Sequence, residues 1–168
     1  DRPEFANQER FPSADIVLAK DFVEGIGELP INANSFIIVA TRGHQYDDVA
    51  LEAAAKTPAR YVALLGSKRK AILIYEQLLR RGVSMDRLRE IRSPAGLDIG
   101  GRTPEEIAVS IVSEILMFRL GGNGGPMKLD DRLLQVAARR ASAKPEQADA
   151  AEANANQEAE AEPAAAGD

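Results

Sequence analysis

Cysteine is absent from the 168 residues and histidine occurs once, at His44. Without cysteine there is no disulfide framework, thiolate metal site, iron-sulfur cluster or thiol nucleophile, and so no thiol-based sulfur carrier. A lone histidine cannot build a multi-histidine centre, so no metal site is expected. Long apolar runs are missing too. The longest, such as Phe36 to Ala40 and Tyr61 to Leu65, have five residues, against the roughly 20 of a membrane-spanning helix. No basic stretch followed by an apolar one opens the chain, so nothing points to export. The expectation is a soluble, cytoplasmic protein with no membrane partner.

Large side chains are also missing from the end of the chain. After Val136 no Val, Ile, Leu, Met, Phe, Trp or Tyr occurs, and such a segment cannot bury enough surface to offset the entropy of ordering it. From Pro145 onward there are seven acids and no Lys or Arg, so the formal charge of −5 belongs to this tail, and residues 1 to 144 are nearly neutral. That balance argues against nucleic acid as a partner. Residues 144–168 are therefore expected to be a disordered Ala/Glu-rich tail, either a solubilising extension or a partner-binding arm.

Strand-type and helix-type segments alternate in the rest. Asp15 to Lys20, Ser35 to Thr41 and Arg60 to Leu65 are short β-branched apolar runs, and their near-continuous hydrophobicity suits a parallel sheet covered on both faces. Between them, Asp47 to Lys56 carries acids in its first turn and stops before Thr57-Pro58, while Ser67 to Arg81 runs to Gly82. Thr103-Pro104-Glu105-Glu106 supplies an N-cap, a first-turn proline and a capping-box glutamate for a third helix, with Ile107, Ile111 and Ile115 on one face. Residues 121–126 read as a Gly-rich linker and 127–143 as a short peripheral helix. The fold class expected is α/β, a partial Rossmann-like, three-layer αβα parallel sheet, with a short further strand near Leu88 to Arg92.

In such sheets ligands gather beyond the carboxyl ends of the strands, and the informative residues lie there. The second strand is followed by Thr41-Arg42-Gly43-His44-Gln45-Tyr46-Asp47-Asp48 and the third by Gly66-Ser67-Lys68-Arg69-Lys70. A third loop runs from Ser93 to Arg102. A parallel sheet would bring all three to one edge around a common cleft. Lys68, Arg69 and Lys70 begin a helix, where the macrodipole disfavours cations. Either an anion such as a phosphate lies on the Gly66 and Ser67 amides, or the basic run is solvated or paired with Asp47 or Glu76. His44 would donate to a ligand, or orient Asp47. Asp98, among Gly96, Gly100 and Gly101, would accept from a ligand or brace its own loop.

The segments T-R-G-H-x-x-D (41–47), L-L-G-S-K-R-K (64–70) and S-P-x-G-L-D-I-G-x-R-T-P-E-E-I-A (93–108), in that order, resemble the C-terminal Rossmann domain of the XdhC/CoxI family. Asp1 to Asn7 with Arg10-Phe11-Pro12 resembles the segment after the second Rossmann strand there, so the resemblance spans about residues 1 to 120. It implies an incomplete domain, because the strand, Gly-rich turn and helix that open the family's domain do not precede Asp1. The dinucleotide fingerprint and the family's cysteine-bearing N-terminal domain are not in this sequence either.

The resemblance further implies an accessory protein for the maturation of molybdenum hydroxylases, of the xanthine or carbon monoxide dehydrogenase type, that handles the cofactor before insertion. The ligand would be molybdenum cofactor (molybdopterin) or NAD(P). The cofactor-binding candidates are Thr41, Gly43, His44, Asp47, Gly66, Ser67, Lys68, Arg69, Gly96, Asp98 and Gly100, with Asp1 at the place where a carboxylate reads ribose hydroxyls in dinucleotide folds. No catalytic residue is expected. The partners implied are an apo molybdenum hydroxylase, a separate chain supplying the missing half, and a second copy in a homo-oligomer. The alternatives are an NAD(P)-dependent oxidoreductase fragment and a non-catalytic interaction subunit.

Overall fold

The computed structural model describes residues 1–41 and 46–142. Helix α1 (Phe22–Glu28) leads into strand β1 (Phe36–Val39), helix α2 (Asp47–Ala55), strand β2 (Tyr61–Leu64) and helix α3 (Lys68–Arg80). Helices α4 (Met85–Glu90), α5 (Pro104–Leu120) and α6 (Asp131–Ser142) follow. The contacts divide the chain into one unit from Asp1 to Gly124 and another from Gly125 to Asp168. The second unit contains α6, which Asp130 starts by accepting the Leu133 N–H at 2.8 Å. The acidic tail lies outside the described residues.

β1 and β2 pair in parallel, with Phe36 opposite Tyr61 and Val39 opposite Leu64. Alternation along each strand sorts the side chains onto two faces. Ile37, Val39, Val62 and Leu64 point into an aliphatic core with Leu51, Ile74, Leu78, Leu88 and Ile91, roofed by α2, α3 and α4, with Phe22 and Ile26 of α1 at its margin. The other face presents Phe36 and Tyr61 to Phe118 of α5, with ring centroids 5.5 to 6.2 Å apart. Helices thus cover both faces of a parallel sheet, which is the partial Rossmann-like α/β architecture.

Local chemistry fixes the helix ends. Ser67 accepts the Lys70 N–H at 3.2 Å to cap α3, and Gly82, at φ +87°, takes the chain out of it in the left-handed conformation. α2 stops ahead of Pro58. Arg87 of α4 meets its final carbonyl and the turn that follows, its guanidinium donating to the oxygens of Ala55, Thr57 and Ala59 at 2.9 to 3.3 Å. α5 has the expected capping box: Thr103 accepts from the Glu106 N–H, and the Glu106 carboxylate accepts from Thr103 and Arg102.

Two expected strands are not formed. Asp15 to Lys20 is outside any strand, since no described strand lies beside it to supply a ladder, and no residue from 1 to 34 is buried. The strand expected near Leu88 to Arg92 shrinks to one parallel bridge between Arg92 and Ala63. Ser84 caps α4 there, and the helix claims Leu88 for the core before the chain can extend. Arg92 still exchanges hydrogen bonds with Val62 and Leu64 at 2.9 Å, so the sheet continues by one residue. The chain also forms α1, which Asp21 caps by accepting from Val23 and Glu24.

Candidate functional site

Because β1 and β2 are parallel, Thr41 and Gly66-Ser67 leave the sheet at the same edge. The polar knot of that edge is Asp47, in the first turn of α2 and fully buried (0% exposed). One of its carboxylate oxygens accepts from the Thr41 hydroxyl at 2.5 Å. The other is ion-paired with the Lys70 ammonium of α3. A buried carboxylate requires such partners, and Asp47 therefore ties together the β1 exit, α2 and α3. Its role here is to hold the frame of the site. Of the two partners expected for the basic run, Asp47 is the one used, and by Lys70 alone. Glu76 pairs with Arg80 instead.

Lys68 and Arg69 remain exposed on the first turn of α3, where the N–H groups have no acceptor inside the helix. Arg69 and Lys70 border a groove of about 640 Å³ with Asp48, Ser67, Leu73, Ile74 and Gln77. Lys68 faces a different cavity of about 430 Å³, lined by Pro94 to Gly101, Ile107 and Ser110. A third cleft of about 590 Å³ adjoins Thr41 and Tyr46 and is lined by Asp1, Arg2, Lys20, Asp21 and Phe22. The strand-end residues thus border three openings and not the common cleft expected of the three loops, since the Ser93–Arg102 loop lines its own cavity with Lys68 and α5. Gly43 and His44 lie outside the described residues.

The Ser93–Arg102 loop is held by α5. The Glu114 carboxyl accepts from the Gly96 N–H at 2.8 Å and from the buried Tyr61 hydroxyl at 2.6 Å. One turn earlier, the Ser110 hydroxyl donates to the Leu97 carbonyl, and the Leu97 N–H returns a bond to the Ser110 carbonyl. Another turn earlier sits Glu106, whose carboxyl those loop N–H bonds hold below the usual glutamate range, Thr103 contributing more than Arg102. Burial and then the bond to Glu114 push the Tyr61 phenol far above its ordinary pKa, so it stays protonated and donates. Glu106, Ser110 and Glu114 form one ridge at fourfold spacing, and the ridge clasps the loop.

The clasp explains the glycines. Gly96, at φ +100°, lies against Ser110, so a side chain there would meet the helix. At Gly101 an added Cβ would come within 2.8 Å of Glu106. Gly100, at φ +74°, has open space around it and serves the turn. Close approach at Gly96 and Gly101 is therefore to α5. Asp98 is exposed and lines the cavity that Lys68 faces.

The candidate residues Thr41, Asp47, Gly66, Ser67, Lys68, Arg69, Gly96, Asp98 and Gly100 accordingly fall on the carboxyl edge of the sheet or on the loop packed beside it. Sequence reasoning missed the structural weight of Lys70 and the entire clasp. Three polar residues on the face that carries Ile107, Ile111 and Ile115 were the available signal for the latter.

A family model described as the XdhC Rossmann domain matches residues 1–115. The chain belongs to the XdhC family. The uncharacterized protein YqeB of Escherichia coli K12 is 34% identical to this XdhC domain over 125 residues, covering 74% of the chain and 23% of YqeB. A probable xanthine dehydrogenase subunit of Bacillus subtilis 168 is 30% identical over 118 residues, covering 70% of the chain and 34% of that protein. Among solved structures, a crystal structure of a xanthine dehydrogenase from Bacillus halodurans superposes with a TM-score of 0.59 at 28% identity, over 75% of the XdhC chain and 36% of the other. The chain therefore spans only about a quarter to a third of its relatives' length.

Proposed function

We propose that this XdhC domain is an accessory module for the maturation of a molybdenum hydroxylase, and that it holds the phosphate-bearing cofactor at the carboxyl edge of its sheet. The observation that carries the reading is the division of labour at the start of α3. Lys70 is consumed by the buried Asp47, while Lys68 and Arg69 are exposed beside open cavities. The donor set suits molybdopterin. Lys68 and the first-turn N–H groups of α3, with Arg69 next to them in sequence, would attract its phosphate, and the Asp98 carboxylate, lining the cavity that Lys68 faces, would accept from the pterin N–H groups. When bound, that cofactor supplies the redox-active metal that the recipient hydroxylase uses. Holding and presenting it requires no acid-base pair from this chain.

NAD(P) is the other ligand these clefts suit, because Asp1 and Arg2 line the opening beside Thr41 and a carboxylate there would read ribose hydroxyls. The names of the Bacillus relatives support an apo hydroxylase of the xanthine dehydrogenase type as the partner. A second partner, a polypeptide adding a strand beside β1, is supported by the ladder pattern. Ser35 and Val39 turn their carbonyls to β2, so the peptide groups of Phe36, Ile38 and Ala40 face away from it. We assign the protein to the cytoplasm, where such a cofactor is assembled.

Fluorescence titration with molybdopterin and, in parallel, with NADP tests the reading. The double variant Lys68→Ala/Arg69→Ala is expected to lose about 1.5 to 3 kcal/mol per charge-assisted contact from the affinity for the true ligand, with its melting temperature unchanged. Equal affinity of variant and wild type for both ligands would remove the anion site from α3.

A further inference from the structure

Asp98 is the acidic residue of the Ser93–Arg102 loop, yet it takes no part in holding that loop. The loop amides bond to Glu106, Ser110 and Glu114 of α5 and, among the described residues, none bonds to the Asp98 side chain. The backbone at Asp98 is nonetheless fixed. The Leu97 carbonyl accepts both from the Ser110 hydroxyl and from the Ile99 N–H, which puts Asp98 at the apex of a three-residue turn. A carboxylate aimed by a braced turn and spent on nothing in its own loop is available to a ligand.

It shares its cavity with a cation that is likewise unspent. Lys68 and Asp98 both line the space of about 430 Å³ beside the loop, and among the described residues neither has an ion-pair partner. Pro94, Leu97 and Ile107 give that space apolar walls. The cavity lies beyond β2 on the Arg92 side of the sheet, away from the edge of β1. An apolar cleft with a few placed polar groups is the usual build of a small-molecule site, and those groups fix the ligand's orientation.

A carboxylate binds best to two adjacent N–H groups, one for each oxygen. The aminopyrimidinone ring presents such a pair, a ring N–H beside an exocyclic amine. Pterin carries this edge, and guanine carries the same one. Adenine instead sets one donor beside an acceptor, and hypoxanthine has the ring N–H without the amine. We infer that the cavity between α3 and the Ser93–Arg102 loop selects the aminopyrimidinone edge through Asp98, so that guanine nucleotides compete there with the pterin cofactor and adenine nucleotides do not. The inference rests on the anion-binding role proposed above for the start of α3, which receives the phosphate in either case.

Isothermal titration of the full chain with the monophosphates GMP, IMP and AMP tests it. GMP is expected to bind, IMP, which lacks only the exocyclic amine, to bind roughly 10- to 100-fold more weakly, and AMP to bind no better than IMP. Equal affinity for GMP and IMP would overturn the inference. Asp98→Asn is expected to lose a similar factor for GMP and to gain affinity for XMP, whose carbonyl in place of the amine accepts from the new amide N–H. Its urea midpoint should equal that of wild type, since Asp98 braces nothing. Loss of GMP binding without a gain for XMP would refute the reading of the edge. Competition separates the inference from the reading beneath it. Molybdopterin binding that is weakened in Lys68→Ala/Arg69→Ala but indifferent to excess GMP would refute guanine selection and leave the cofactor role standing. Binding of GMP in preference to IMP by a chain that takes no molybdopterin would do the reverse, and binding of neither would remove both.

Discussion

The two faces of the sheet are built from different chemistry. On the side of α2, α3 and α4 the centre of the contact is aliphatic, with Leu51, Leu64 and Leu78 fully buried around Val62 and the rings of Phe22 and Tyr75 at its margin. On the side of α5 it is aromatic and polar: Phe36, Tyr61 and Phe118 pack beside a buried Glu114 that spends its carboxyl on a core phenol and a loop amide. Aliphatic packing is strong but tolerates small slides, whereas a hydrogen bond holds one geometry. The first face therefore supplies stability, and the second fixes where the Ser93–Arg102 loop sits. In a domain whose proposed site lies on loops, separating the two tasks lets the scaffold be stable without depending on the site.

The largest test strikes the aliphatic face. Leu78→Ala is expected to destabilise the domain by about 2 to 5 kcal/mol, seen as a lower urea midpoint. Amide exchange should accelerate at Val62 and at Gly96 alike, because the whole unit opens. Glu114→Ala is expected to lose less, about 1 to 3 kcal/mol for the Tyr61 hydroxyl and Gly96 N–H left without an acceptor. Here the effect should be local: exchange at Gly96 and Leu97 should rise well before exchange at Val62. Uniform acceleration in Glu114→Ala would erase the distinction between the faces.

Two smaller tests sharpen it. Ser67→Ala removes the cap of α3 and is expected to lower stability by about 1 kcal/mol, with the loop unaffected. The last test is acid. The Glu106 carboxyl is held below its ordinary pKa by the Thr103 and Arg102 N–H bonds, so its contribution is complete above the unfolded value of about 4.3. It is lost as pH falls through the lowered folded value. Exchange at Arg102 and Thr103, corrected for the intrinsic rate, should rise only in that acidic window. Glu106→Gln should abolish the dependence.

How much of this the residues announced depends on range. β1, β2, α2, α3 and α5 were legible because each carries its own signal: a short apolar run, a capping serine or threonine, a stop at proline or glycine. The strand at Asp15 to Lys20 was misread because its composition is that of a strand, while strand formation requires a neighbour, which lies beyond any local pattern. The strand near Leu88 lost to a local competitor, the Ser84 cap, that was visible and went unweighed. At the site, the positions of Ser67 and Asp98 on strand-end loops could be read from the order of elements. The partnership of Asp47 with Lys70 joins residues 23 apart and that of Glu114 with Gly96 residues 18 apart, and only the folded chain brings them together. The acids and the single histidine were conspicuous in sequence, yet the residue that organises the loop, Glu114, sat unnoticed among isoleucines.

The clasp also constrains which changes in length the chain can tolerate during evolution. Glu106, Ser110 and Glu114 reach the loop because they stand one turn apart on a single ridge. Inserting or deleting one residue within α5 would swing every later side chain about 100° around the helix axis. An indel between Glu106 and Ser110 would leave the cap at Thr103 bonded while Leu97 and Gly96 lost their anchors, although composition and hydrophobicity would hardly change. Around Gly100, whose surroundings are open, extra residues would only lengthen a turn. Length variation among related chains should therefore collect at the tip of this loop and be rare in the helix that holds it.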